Sequence, residues 1–107
     1  MYPSIRVTSG SRIPLGYQQI SAATLASATL LTVPNNSSGM PAAYAVIQCE
    51  SSTATDSVRW RDDGTDPTAS VGMTLGAGME LDYSGDVTKI TFIVGAGSPK
   101  LNISYYS

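Results

Sequence analysis

Histidine is absent from the 107 residues of this chain, and cysteine occurs once. Without histidine the chain lacks the commonest general base and the commonest transition-metal ligand, and a Ser-His-Asp triad is excluded. The single cysteine, Cys49, cannot form a disulfide within the chain or a cysteine-rich zinc site. Because Cys49 lies in an alternating apolar run, we expect a small buried side chain rather than a reactive thiol. We therefore expect a protein that is not an enzyme and that has no cofactor or metal.

Charge is also sparse, since 13% of the residues are charged and the formal net charge is -2. This balance predicts no general attraction to nucleic acid or to an anionic membrane. Residues 1–7 lack the charged start and apolar run of a signal peptide, and no stretch has the apolar length that spans a bilayer. The sequence predicts a soluble protein that stays in the cytoplasm where it is made.

The abundant residues are Ser, Thr, Ala and Gly, a composition that suits β-strands joined by tight turns. Short runs of alternating apolar and polar residues are separated by turn residues about every 8 to 12 positions. The pattern predicts an all-β protein, a single compact antiparallel β-sandwich or jelly roll of about eight short strands. The spacing does not distinguish Greek-key from meander connections.

The first residues have a different character from the rest of the chain. Residues 1–16 contain prolines, glycines and two arginines around one alternating pair, so they predict an extended N-terminal arm, with residues 17–107 as the sandwich domain. Ile5 and Val7 would anchor this arm on an adjacent subunit by strand addition, and Arg6 and Arg12 would contact an acidic partner surface. The alternative is an arm that folds back on its own domain or stays unattached.

The stretch 56–67 holds the only tryptophan of the chain and four of its eight acids. Val58 and Trp60 alternate with Arg59 and Arg61, which predicts a strand with one apolar and one basic face. We expect Trp60 to anchor the core and the two arginines to pair with nearby acids. In the alternative interpretation, Arg59 and Arg61 contact a partner.

The other strands are predicted at 17–20, 28–33, 43–50, 71–75, 79–83, 87–94 and 101–105. Gly76-Ala77-Gly78 predicts a hairpin between two of these strands, because glycine adopts the positive φ that tight hairpins require. The inward rows of that hairpin would be Met73 with Leu75, and Met79 with Leu81 and Tyr83. A calcium site at Asp56, Asp62, Asp63 and Asp66 is disfavoured, since the calcium-loop spacing is missing and aspartates commonly form turns.

One run is distinctive: VRWRDDGTDPTASVGM, residues 58–73. It resembles a pattern of small structural proteins of tailed bacteriophages, in which the run precedes a glycine hairpin. The similarity takes in GYQQI (16–20), YSGD (83–86), ITFI (90–93) and LNISYY (101–106), so it covers about residues 16–107.

The resemblance implies a virion component of β-sandwich or jelly-roll type, most simply a capsid decoration (cement) protein that binds the assembled shell. Its implied partners are the major capsid protein or other virion proteins, and such proteins commonly form trimers. A collar or tail protein is the alternative within the virion. A carbohydrate-binding module is a further alternative, because Trp60 and the six tyrosines could stack on sugar rings.

Overall fold

The computed structural model describes residues 12–107, and these residues form an all-β fold, as the sequence predicts. Eight strands and one short 3-10 helix follow one another along the chain. In order they are β1 (Pro14–Ile20), η1 (Thr24–Ala26), β2 (Thr29–Leu30), β3 (Tyr44–Glu50), β4 (Ser57–Arg61), β5 (Met73–Gly76), β6 (Glu80–Tyr83), β7 (Thr91–Ala96) and β8 (Lys100–Tyr106).

The strands form two antiparallel sheets of four strands each. The first sheet has the order β1-β8-β3-β6 and the second β2-β7-β4-β5. The pairs β1–β8, β2–β7, β3–β6 and β4–β5 are nested like the two arms of one long hairpin. The additional pairs β3–β8 and β4–β7 roll that hairpin into two layers. This is jelly-roll connectivity, which the spacing of turns could not specify.

The core lies between the two sheets and consists of the predicted alternating rows. Because neighbouring residues of a strand point to opposite faces, every second residue of β3 and β8 is buried. The second sheet contributes Val58, Leu75 and Phe92 from the facing layer. Cys49 is fully buried, as predicted, and burial raises the pKa of its thiol. The inward residues of β3 and β8 are Ala45, Ile47, Cys49, Leu101, Ile103 and Tyr105.

Several strand boundaries differ from the predictions. The strand predicted at 28–33 is only two residues long, and η1 precedes it. Ser21 stabilises that helical turn with two hydrogen bonds. Its carbonyl oxygen accepts one from the Leu25 N–H at 3.1 Å, and its hydroxyl oxygen accepts one from the Thr24 N–H at 3.3 Å. Leu25 is thereby buried in the core. At the start of the domain, Pro14 already pairs with Tyr106, so residues 14–16 belong to β1 rather than to an arm.

The predicted hairpin around Gly76-Ala77-Gly78 is wrong. A tight turn does form, with the Met79 N–H bonded to the Gly76 carbonyl at 3.0 Å and a φ of 83° at Gly78. However, the chain leaving the turn bonds to Cys49 of β3, through Gly78 N–H at 2.8 Å and Met79 O at 3.0 Å. The turn therefore carries the chain from the second sheet to the first instead of pairing β5 with β6.

The inward rows predicted for that hairpin are also partly wrong. Leu75 and Tyr83 are buried and Leu81 is partly buried, as expected. Met73 and Met79 are instead 59% and 56% exposed. Met73 is the first residue of β5 and Met79 directly precedes β6, so alternation alone overestimated burial at the ends of these strands.

Candidate functional site

The residues predicted to contact a partner fall into two groups. Ile5, Arg6 and Val7 lie outside the described residues. Arg12 lies just before β1, and the central carbon of its guanidinium is 3.8 Å from the ring centroid of Tyr44 in the same chain. Such a cation–π contact is worth about 0.5 to 1 kcal/mol at an exposed site. Arg12 thus holds the chain against the outer face of the first sheet.

Arg59 and Arg61 lie on the outer face of β4, opposite to the core, as the alternation predicts. Arg61 donates two hydrogen bonds to Asp63, from Nε at 3.0 Å and from Nη2 at 2.5 Å. These hydrogen bonds hold the pKa of the exposed Asp63 carboxyl below its usual value. Arg59 instead donates from Nη1 to the Gly72 carbonyl at 2.8 Å. Pairing with a nearby acid is therefore correct for Arg61 and wrong for Arg59.

Trp60, predicted to anchor the core, lies at the rim of the core and is only partly buried. On its inner side it meets Tyr83 of the first sheet edge to face, with ring centroids 6.0 Å apart and planes at 74°. The pair connects the two sheets at one corner of the sandwich. The other side of Trp60 lines a surface cavity.

Tyr83 closes the same corner through a polar contact. Its hydroxyl donates to Oδ2 of Asp62 at 2.6 Å. Burial, together with this carboxylate, raises the pKa of Tyr83 to about 12. The loop that follows β4 is therefore fastened to the end of β6.

The loop of residues 62–72 is itself an ordered unit. Thr68 and Val71 exchange backbone hydrogen bonds at 2.9 and 3.3 Å, and Pro67 is buried under the loop. Gly72 has a φ of 140°, and a Cβ there would lie 3.1 Å from the carbonyl oxygen of Trp60. Only glycine fits this close approach without strain. The distinctive run 58–73 thus folds into one surface feature made of β4, this loop and the first residue of β5.

A cavity of about 400 Å³ opens at this feature, and we call it the Trp60 cavity. Val71 and Met73 form its apolar wall with Trp60, and they are 51% and 59% exposed. Its lining residues are Trp60, Arg61, Asp62, Asp63, Val71, Gly72 and Met73. An apolar depression with a charged rim suits the insertion of an apolar side chain from a partner.

The outer face of the first sheet has a contrasting polar character. Asn102 on β8 is at its centre: its Oδ1 accepts from the Tyr17 hydroxyl at 2.6 Å and from Gln19 Nε2 at 2.9 Å. Its Nδ2 donates to Glu50 Oε1 at 2.8 Å and to Gln48 Oε1 at 3.2 Å. A shallow groove of about 170 Å³ runs beside this network. Such a face can offer planar hydrogen-bonding groups and the exposed Tyr17 ring to a polar ligand.

The four aspartates considered for calcium do not form one cluster. Asp56 is buried at the start of β4, where it accepts from the Ser51 hydroxyl at 2.7 Å and from the Ser98 N–H at 3.1 Å. Asp62 and Asp63, at the other end of β4, are bonded to Tyr83 and Arg61. Within residues 12–107, no three acidic or cysteine side chains are grouped as a metal site would require.

Sequence reasoning missed the exposed part of the site. Val71 and Met73 alternate with Leu75 like core residues, and no pattern in the chain shows that β5 is an edge strand. The sequence signal that could have found them is the distinctive run 58–73, because it contains Val71 and ends at Met73. The groove residues were missed because Gln48, Glu80 and Asn102 come from three strands that are distant in sequence.

No helix in the described part of the chain has the length and apolar character to cross a membrane. Comparison of the chain with protein-family models, curated proteins and solved structures found no match.

Proposed function

We propose that the protein is a non-enzymatic structural protein of a tailed-bacteriophage virion, acting as a capsid decoration (cement) protein that binds and stabilises the assembled shell. It is made in the host cytoplasm and ends in the virion. Its partners are the major capsid protein or other virion proteins, and further copies of itself, with a trimer favoured. The observation that carries the proposal is that the run with the resemblance, residues 58–73, forms one ordered surface feature.

The fold supports the proposal by analogy. Jelly rolls of eight strands recur in viral capsid and lectin domains. A fold of this kind hosts several functions, so the analogy makes a virion role more plausible and does not assign it.

The surface that we propose for contact with the shell is the outer face of the second sheet. Leu30 is 54% exposed there, and it lies in one cross-strand row with Thr91 and Arg61. Arg59 lies in the next row, opposite Ile93. Arginine beside exposed apolar side chains is the composition that protein interfaces favour.

The test mixes purified protein with capsids that lack it and then sediments the capsids. The wild-type protein should co-sediment at micromolar concentration, and Leu30→Asp with Arg61→Ala should raise the dissociation constant at least about tenfold, the factor that 1.4 kcal/mol represents. Lys100→Ala is the matched control, because it removes a cation from β8 of the first sheet, the layer opposite to the proposed contact face. Failure of the wild-type protein to co-sediment would contradict the decoration role.

A collar or tail position is the alternative within the virion. Labelling intact particles with an antibody to the protein separates the two positions. Label over the whole shell supports decoration, whereas label at a single vertex supports the collar or tail.

A carbohydrate-binding module is a second candidate, favoured by the groove on the first sheet. Tyr17 is 65% exposed beside this groove, and the amides of Gln48 and Asn102 border it. Aromatic rings stack on sugars, and planar amides bind their hydroxyls. Titration with neutral oligosaccharides should then give heat that Tyr17→Ala abolishes and Trp60→Phe preserves. No heat with the wild-type protein would remove this candidate.

A further inference from the structure

The Trp60 cavity leaves an unusual amount of apolar surface in water. Val71 and Met73 are more than half exposed, and they adjoin the partly buried ring of Trp60. Single exposed apolar side chains are common, but a contiguous group around a depression marks a surface that a partner covers.

The strand beside the cavity can accept another strand. β5 lies at the end of the order β2-β7-β4-β5 and pairs with β4 on one side only. Its residues Met73-Thr74-Leu75-Gly76 contain no charge and no proline, the features that usually protect an edge.

The other edges of the described sheets are better protected. β6 carries Glu80 and Asp82, and β2 has only two residues. β1 is bordered by residues 32–34, because the Thr32 N–H donates to Gln18 Oε1 at 3.1 Å and Pro34 lies next to Gly16. β5 is therefore the edge best suited to strand addition.

The occupant must be an extended segment with apolar side chains two residues apart, so that both face the cavity. Ile5-Arg6-Val7 has this pattern and lies in residues 1–11, which carry one arginine and no acid. The rim of the cavity and the following loop carry Asp62, Asp63 and Asp66 against Arg61 and the adjacent Arg59, which bonds to the Gly72 carbonyl, so the acids exceed the cations by one. The charges of donor and acceptor are thus opposite in sign.

We propose that the Trp60 cavity and the β5 edge receive the segment Ile5-Arg6-Val7 of a second copy of this chain. The donor segment leaves its own domain from the first sheet, the layer that does not contain β5. Arg12 stacks there on Tyr44, and the Ile13 carbonyl accepts a hydrogen bond from the Ser107 N–H at 2.9 Å. The contact is head-to-tail, which generates a ring of subunits when the rotation between neighbouring copies closes. It concerns copy-to-copy contact and does not require that the protein binds a capsid.

The test is a complementation experiment with full-length chains. The donor variant combines Ile5→Asp with Val7→Asp, and the acceptor variant combines Val71→Asp with Met73→Asp. Met40→Asp is the control, because it places the same charge on an equally exposed apolar position, in the connection between β2 and β3. Circular dichroism checks folding, and Met73→Lys alone replaces the acceptor variant if that double variant does not fold.

Sedimentation velocity and native mass spectrometry measure the assembly. We expect the wild-type chain and Met40→Asp to form a ring, each of the donor and acceptor variants alone to be monomeric, and an equimolar mixture of the two to form a one-to-one pair. The assembly should also weaken as salt rises. A monomeric wild-type chain at micromolar concentration would overturn the proposal, as would variants that still assemble or a mixture that does not pair.

The same samples identify binding within one chain. In that case the wild-type chain is monomeric, and the donor substitutions change the fluorescence of Trp60 without changing the mass. That result would overturn the contact between copies while leaving capsid binding to its own test.

Discussion

Trp60 lies between the core and the surface. This position determines how much unfolding free energy its replacement should cost. Its inner side packs against Tyr83, while its outer side lines the cavity. A fully buried aromatic residue costs about 3 to 5 kcal/mol when it is replaced by alanine. Because part of the Trp60 ring is already in contact with water, the cost should be below this range.

The first prediction therefore concerns Trp60→Ala. The variant should fold and lose about 2 to 3 kcal/mol of unfolding free energy, less than a buried aromatic residue loses. Urea denaturation followed by circular dichroism measures the loss. Phe92→Ala is the control, because Phe92 pairs with Trp60 across the strands but is fully buried, and it should cost more. Equal losses would show that Trp60 is as buried as Phe92.

The second prediction concerns alkaline pH. The pKa of Tyr83 is raised from 10.0 to about 12 by burial and by Asp62, so the folded state favours the neutral phenol. The stability from this group is complete below pH 10 and is lost as the pH rises toward about 12. A pKa difference of about two between the folded and unfolded states corresponds to a loss of at most about 3 kcal/mol of unfolding free energy.

Tyr83→Phe removes this contribution. At neutral pH the variant should be less stable by about 1 kcal/mol, because it loses the hydrogen bond to Asp62. The difference from the wild-type protein should shrink as the pH rises above 10. Urea denaturation over this range measures it, and a constant difference would contradict the assignment.

At the scale of elements, the loop of residues 62–72 shows how a long connection becomes ordered. Asp63 pairs with Arg61, Asp62 accepts from Tyr83, and Thr68 bonds to Val71. The surface ion pair adds little stability, since exposed pairs are worth about 0 to 1 kcal/mol. The close backbone approach at Gly72 should matter more.

The third prediction compares two glycines of this connection. Gly72 has a φ of 140°, and a Cβ there would lie 3.1 Å from Trp60 O and 3.2 Å from Pro67 Cβ. Gly64 has a φ of 87° with open space around it. Gly72→Ala should therefore cost more than Gly64→Ala, about 2 to 4 kcal/mol against about 1 to 2. Thermal unfolding of both variants measures this order, and a smaller loss at Gly72 would show that the loop can move away.

At the scale of the whole molecule, the core is built within the described domain. The buried apolar residues run from Ile20 to Tyr105, between two sheets whose outermost strands are β1 and β6, and β2 and β5. These side chains pack against one another within residues 20–105. Folding and assembly should therefore be separable.

The fourth prediction is the deletion of residues 1–11. The shortened chain should keep the circular dichroism spectrum and the melting temperature of the full chain, because Arg12 and β1 remain. It should lose the assembly that we propose, which native mass spectrometry of both chains measures. Equal assembly of the two chains would refute residues 1–11 as the tie between subunits.

The sequence by itself determined the local structure and the content of the core. Alternation with period two predicts which residues share a face, and so it correctly placed Ile47, Cys49 and Ile103 in the core and Arg59 and Arg61 outside it. It also showed the absence of histidine and of any second cysteine.

Only the tertiary structure decided which strands pair and where the edges lie. The turn at Gly76-Ala77-Gly78 was recognisable locally, but hydrogen bonds to Cys49, 27 or more residues earlier in the chain, carry β6 into the other sheet. Met73 has the alternation of a core residue and is exposed at the first position of β5, although Leu75 on the same face of the same strand is buried. Pairing partners and edges depend on contacts between distant segments, whereas a period-two pattern reports only the two faces of a single strand.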